Sequence, residues 1–249
     1  MRETLYGRYP VVESLRAGRR TAYRLLLSQG LLPAPVVDEI QTLARAQGLR
    51  VDTISRDDIA RIVGHDQHQG VALETSEYPY VETSAILDLA VARAEAPLLL
   101  LLDLIQDVHN LGSLMRTAEA VGVHGVILQE RRAAGITPAA ANSSSGAAEH
   151  LLVAQVTNLP QEMAQLRKAG VWMIGLEDVH GAKLHTASDL TLPLGLVVGS
   201  EADGLRRLVR DRCDWMIRMP MRGRINSLNA SIAGSIALYE VLRQRESAW

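Results

Sequence analysis

Three short segments bring polar, small and basic residues together at spacings that can do chemistry. The first is Asp107-Val-His-Asn110-Leu-Gly112-Ser-Leu-Met-Arg116. Asn110 is predicted to cap a helix, and Gly112 lets a ligand or backbone approach closely. Arg116 lies less than two turns in and can lean back over the helix mouth, because helical side chains point towards the N-terminus. Such an arginine would stabilise an anion; an ordinary capped helix with a surface arginine has the same pattern. In the second segment the apolar run Leu194–Val198 passes into Gly199-Ser200-Glu201-Ala-Asp203-Gly204. This is the strand-to-helix turn at which open α/β sheets take ligands, although a tight turn capped by Asp203 reads the same way. A Gly-x-Gly-x-x-Gly fingerprint is absent, which speaks against a nicotinamide oxidoreductase. The third segment closes a strand at Pro220 and runs through Met221-Arg222-Gly223-Arg224 to Ser227-Leu228-Asn229. Ser227 is expected to cap the last helix, and Ala230, Ala233, Gly234 and Ala237 let that helix pack closely.

Positioning these segments requires a regular alternation of strands and helices. Leu98–Asp103, 123–128, 151–156, 171–176, 195–199 and 215–219 read as strands. Helices are expected at 111–121, 158–169, 203–212 and 228–244, the last with Leu228, Ile232, Ile236, Tyr239 and Leu242 on one face. Alternating β and α predicts a parallel sheet covered on both sides. Residues 1–77 form a smaller α/β unit, with a strand at 23–27, a helix at 36–47, a strand at 51–54, a helix at 57–63 and a strand at 70–74. Tyr78-Pro79-Tyr80 is a hinge, since a residue before proline is driven extended. The expected organisation is a unit at 1–77, a linker at 78–96 with a helix at 84–94, and a larger unit at 97–249.

The 249 residues carry a formal net charge of −2, which excludes an indiscriminate polyanion binder. The basic residues are lopsided: of 26 Lys+Arg only Lys168 and Lys183 are lysines. From Leu205 to Arg245 nine arginines face only Asp211, Asp214 and Glu240, and residues 1–30 hold six arginines against Glu3 and Glu13. Two basic patches are therefore expected. Arg16, Arg19, Arg20 and Arg24, and the cluster Arg206, Arg207, Arg210 and Arg212, are candidate phosphate contacts. Cys213, the single cysteine, excludes an intrachain disulfide, and its apolar neighbours suggest a buried thiol. No leader-like opening and no apolar run long enough for a membrane are seen, so a cytoplasmic location is expected. His65-Asp66-Gln67-His68 reads as a loop, and no metal is called for.

The order and spacing of Asn110-x-Gly-x-x-x-Arg116, Gly199-Ser-Glu201-x-x-Gly204 and Pro220-Met-x-Gly223 through Ser227-Leu-Asn229 resemble the three motifs of SpoU-type RNA ribose methyltransferases of the SPOUT superfamily. The likeness covers the whole second unit. It extends to Leu5-Tyr6-Gly7 and His68-Gln69-Gly70-Val71 in the first, where Arg8 and Tyr9-Pro10 depart from the usual pattern. This combination is similar to the branch that methylates guanosine 2′-OH groups of large-subunit ribosomal RNA. The resemblance implies a trefoil-knotted parallel sheet preceded by a small α/β domain like a ribosomal protein. It also implies S-adenosylmethionine as cofactor, ribosomal RNA as partner and a homodimer formed through the knotted domain.

Carried over residue by residue, Gly199, Met219 and Leu228 contact the cofactor. Arg116, Asn110, Glu201, Ser227 and Asn229 form the catalytic side, and Arg8, Arg19, Arg20, Ser144 and Arg224 contact RNA. Relatives assign removal of the hydroxyl proton to the motif-one arginine. A guanidinium holds its proton far above neutral pH, so Arg116 is better cast as an electrostatic stabiliser of the forming alkoxide, with an RNA phosphate relaying the proton. Two rivals are a transfer-RNA ribose methyltransferase of the same superfamily and a non-catalytic RNA-binding protein of this fold.

Overall fold

The computed structural model describes residues 2–201, 203–225 and 227–246. They gather into two units, Met1–Pro79 with Ile136–His150, and Tyr80–Gly135 with Leu151–Trp249. No helix among the described residues is long and apolar enough to cross a membrane.

In the first unit β1 (Arg2–Tyr6) leads into α1 (Arg8–Ala17), β2 (Ala22–Ser28), α2 (Pro35–Ala46), β3 (Arg50–Ile54), α3 (Arg56–Val63) and β4 (Val71–Ser76). The strands lie in the order β1-β4-β2-β3, with β4 antiparallel to both neighbours and β3 parallel to β2. Leu5, Val11, Leu15, Leu25, Ile40 and Leu73 form the core.

The second unit opens with α4 (Thr83–Ala92), β5 (Leu98–Asp103), α5 (Val108–Ala120) and β6 (Gly125–Gln129). The chain then contributes α6 (Pro138–Ser143) and a 3₁₀ turn at Ala147–His150 to the first unit. It returns as β7 (Leu152–Val156), α7 (Leu159–Lys168), β8 (Trp172–Leu176), β9 (Lys183–Leu184), β10 (Leu194–Gly199), α8 (Arg207–Arg210), β11 (Trp215–Arg218) and α9 (Ala230–Glu246). The result is the expected parallel sheet, in the order β7-β6-β5-β10-β8-β11-β9. β5 and β10 are buried along their whole length, as strands covered on both faces must be. Their register pairs Gly199 with Asp103, so the loops after these two strands leave the sheet side by side.

The unit boundaries differ from the sequence expectation in two places. Residues 136–150 belong to the first unit: Ala141 is in its core, the Asn142 amide donates to Tyr6 O at 3.2 Å, and Arg20 pairs with Glu149. The linker's expected helix is present as α4, but it packs as part of the second unit, with Ile86 buried in that unit's core.

Candidate active site

Four loops meet at the C-terminal ends of the central strands. The loop after β5 ends at Asp107, whose carboxylate accepts the Asn110 N–H at 2.8 Å and caps α5. Asp107 thus takes the capping position expected of Asn110, which frees the Asn110 side chain. After β10, Ser200 and Gly204 exchange two backbone hydrogen bonds of 3.2 and 3.0 Å, a tight turn that projects Glu201. A Cβ on Gly199 would lie 2.3 Å from the Gly204 backbone, so the glycine is required by the turn itself. The helix expected over 203–212 shrinks to α8. Gly204 sits at φ +63°, and the Arg206 N–H and guanidinium both bond to the buried Asp103 carboxylate, at 2.9 and 2.8 Å.

A further element is the start of α9. Asn229, not Ser227, caps it: its Oδ1 accepts from Ser231 N at 2.9 Å, Ser231 Oγ at 2.6 Å and Ile232 N at 3.2 Å. Those three donors fix the amide orientation and aim Nδ2 the other way. Nδ2 donates to Asn110 Oδ1 at 3.0 Å and to Glu201 Oε1, and Asn110 Nδ2 donates to the same carboxylate oxygen at 2.6 Å. Three of the five expected catalytic residues therefore form one hydrogen-bonded cluster. α9 lies close against the sheet and α5, where a Cβ on Gly234 would come 2.7 Å from the Leu114 side chain, and Thr117 Oγ1 meets Ser235 Oγ at 2.8 Å.

Two cavities flank the cluster. One, of about 180 Å3, is walled by Leu176, Val198, Gly199, Met219 and Leu228, with Glu201 and Ser227 among its polar groups. It therefore gathers all three residues expected at the cofactor. The other, of about 230 Å3, is lined by Gln106, Asp107, Asn110 and Asp203, and the two share Ser200 and Glu201. Glu177 and Asp178 also face the first cavity and are absent from the sequence reading. They follow directly after β8, and the rule that parallel strands present ligand sites at their C-terminal ends would have found them. Arg116 stands on the exposed surface of α5 and lines neither cavity.

The expected RNA contacts divide. Arg224 is exposed in the loop before α9, and Arg8 and Arg19 are half-buried. Arg19 donates to Tyr78 Oη at 2.9 Å and to Pro79 O at 3.2 Å. Arg20 and Ser144, expected to contact RNA, are instead buried. The Arg20 side chain is fully buried and bound to Glu149 and Glu3, and Ser144 is buried with Oγ bonded to Ala141 O at 3.0 Å. Burial opposes the charge on Arg20, but the carboxylates of Glu149 and Glu3 outweigh it and raise its pKa. Arg206 and Arg210 are also paired, with Asp103 and Glu177, although 41% and 39% of their side chains stay exposed. Burial pushes the Cys213 thiol up to about 12, as suits an inert side chain.

Residues 97–239 match the SpoU rRNA Methylase family, and residues 4–81 match the RNA 2′-O ribose methyltransferase substrate binding family. The chain belongs to the SpoU rRNA methylase family. The putative TrmH family tRNA/rRNA methyltransferase YacO of Bacillus subtilis is 39% identical over 96% of this chain and 94% of its own. The SpoU methyltransferase AviRb of Streptomyces viridochromogenes, solved in complex with AdoMet, superposes with a TM-score of 0.81 at 26% identity, over 99% of this chain and 91% of its own. An AdoMet-bound rRNA methyltransferase from Sinorhizobium meliloti gives 0.79 at 25% identity, over 97% and 87%. These likenesses span both units, so this SpoU-type chain carries its methyltransferase unit together with a substrate-binding unit.

Proposed function

We propose that this chain methylates a ribose 2′-OH in structured RNA from S-adenosylmethionine, and that its target is a guanosine of large-subunit ribosomal RNA in the cytoplasm. The observation that carries the reading is the Asn110–Glu201–Asn229 cluster at the rim shared by two cavities, a ready junction for a donor and an acceptor. The donor set fits the cofactor. Leu176, Met219 and Leu228 offer apolar walls, while Glu201, Glu177 and Asp178 put carboxylates beside a cationic sulfonium. When bound, the cofactor supplies a methyl group on sulfur. Gly199, Met219 and Leu228 would hold it, with Ser227 at the same wall.

The second cavity would receive the target nucleotide. Its lining is rich in acceptors, Asp107, Asp203 and Glu201, which suits the N–H donors that guanine carries on its N1 and N2 edge. Asn110 and Asn229 orient Glu201 and fix the approach of the ribose, which is the main requirement once the reacting atoms are within ~3–3.5 Å. Arg116 lines neither cavity, so its carried-over role, a fixed positive charge on the forming alkoxide with an RNA phosphate taking the proton, requires that the bound RNA or a second copy of the chain bring it to the reacting oxygen. The presence of a separate substrate-binding unit, shared along nearly the whole chain with the S. meliloti rRNA methyltransferase, supports ribosomal over transfer RNA.

Two structural parts of the proposal rest on the second unit. β10 follows β8 in the chain yet lies between β5 and β8, a placement that supports the trefoil knot. The outer face of α9 leaves Ile232, Ile236 and Tyr239 52%, 41% and 54% exposed, which supports a homodimer through this helix.

The test is transfer of labelled methyl from S-adenosylmethionine to ribosomal and transfer RNA, with 2′-O-methyl sites mapped in cells with and without the gene. One guanosine of the large-subunit RNA should lose its mark. Arg116→Ala should retain cofactor affinity and lose turnover; a comparable loss of cofactor binding would overturn its role.

A further inference from the structure

The first unit has a cavity of its own, of about 690 Å3, where the start of α1, the loop after β2 and the start of α3 converge. This lies in the roughly 300–1,000 Å3 range of small-molecule sites. Its charged lining is of one sign: Arg8 and Arg56, with no carboxylate. Apolar surface stands beside the cations, since Tyr9 is 59% and Leu32 74% exposed. An exposed tyrosine and leucine thus share one cavity with two arginines.

Three further observations fall on residues of the same cavity wall. The Arg8 Nε is buried with no hydrogen-bond partner. α1 is preceded by Gly7, which has no side chain to cap it, leaving first-turn N–H groups such as that of Tyr9 without intrahelical partners. Gln69, on the cavity wall, holds a left-handed φ of +54°, and its Oε1 accepts the Arg8 N–H at 3.0 Å. Non-glycine residues in that region cost on the order of 1 kcal/mol or more and concentrate at binding sites.

We propose that this cavity binds one unstacked nucleotide of the substrate RNA, its base against Tyr9 and Leu32 and its phosphate on Arg8 and Arg56. The shared chemistry is that of a nucleoside 5′-phosphate, and RNA is the source that the family's substrate-binding unit favours. The inference rests on the RNA-methyltransferase reading and adds a residue-level site to it. Single-stranded elements are recognised in this way, by stacking on aromatic rings with cations tracking the backbone.

The experiment measures binding of a fluorescein-labelled RNA hairpin with an eight-nucleotide loop to the full chain, alongside methyl transfer to ribosomal RNA. Tyr9→Ala should weaken binding roughly 5- to 150-fold, and Tyr9→Phe should restore it. Arg56→Gln should weaken binding and reduce the slope of log affinity against log salt by about 0.7. Both side chains are exposed, so thermal melting should be unchanged. RNA binding and methyl-transfer KM unaltered in both variants, with the wild type active, would overturn this site and leave the proposed function standing. A wild type that methylates no RNA overturns both. Binding of adenosine or guanosine 5′-monophosphate that the hairpin does not displace would make the cavity a free-nucleotide site and overturn the RNA assignment.

Discussion

In the first unit Arg16 closes onto Glu13 and Glu39, Arg20 onto Glu3 and Glu149, and Arg24 onto Asp52 and Glu74. In the loop before α9 of the second unit, Arg222 and Arg224 stand exposed. The sequence presents both regions as basic, yet one uses its arginines to join elements while the other turns them to solvent. The excess counted over residues 1–30 largely disappears because Glu39, Asp52, Glu74 and Glu149 lie outside that window. A local charge count measures composition; only the fold shows which charges are already paired. The same holds within the second unit, where Arg206 and Arg210 are held by carboxylates at strand ends.

The sharpest way to break this contrast is Arg20→Met. It leaves Glu149 buried without its cation, and removing one member of a buried pair costs about 3–5 kcal/mol. Urea unfolding should register that loss whether or not RNA is present. If the variant is as stable as the wild type but binds RNA less well, the inward assignment of Arg20 fails. Asn229→Asp addresses the active-site cluster of the second unit. Aspartate caps a helix as well as asparagine does, so α9 should persist. The donor to Asn110 and Glu201 is lost, however, and a like charge is placed beside Glu201. Single-turnover methyl transfer should fall about 10²–10³-fold, the loss expected on removing a preorganised polar contact. Near-normal turnover would detach the cluster from the chemistry. The double variant Arg222→Gln, Arg224→Gln should leave the melting curve in place and lower the salt slope of RNA binding by about 0.7 for each charge. An unchanged slope would mean that these exposed arginines do not meet phosphate.

These contrasts also mark what the sequence could reveal. β5 was legible because Leu98–Leu102 is a continuous apolar run closed by Asp103, and the strand has the expected limits. The motifs were legible because their spacing is local, and the family resemblance they carry implies Gly199, Met219 and Leu228 together at the cofactor; the structure places the three on one cavity. The caps were displaced because several good capping residues stand close together: Asp107 takes the role expected of Asn110, and Asn229 that expected of Ser227. β1 was missed, since Arg-Glu-Thr-Leu-Tyr offers one fully buried position and little alternation. The assignment of 136–150 to the first unit was invisible because its alanines and serines carry no periodicity. Its anchors, Arg20 and Tyr6, lie more than 120 positions away in the chain.

The smallest effect concerns acid, and it compares one buried histidine from each unit. His68 and His124 are almost fully buried, and burial lowers the pKa of each below the usual 6.5. In each, Nδ1 accepts a backbone N–H, from Gly70 at 3.1 Å and from Leu98 at 3.0 Å, so the neutral ring is the form the fold accommodates. Above the unfolded value of about 6.5 neither state binds the extra proton, and stability is independent of these groups. As pH falls below that value the unfolded chain takes up protons first. Stability is therefore lost from about pH 6.5 downward, until the folded pKa is reached, by at most ~1.4 kcal/mol per pH unit for each histidine. His68→Asn keeps an acceptor for Gly70 N–H and removes one titrating group. It should make the urea midpoint less sensitive between pH 7 and 5, while the contribution of His124 persists. A pH profile identical to that of the wild type would show that His68 is not held neutral by the first unit.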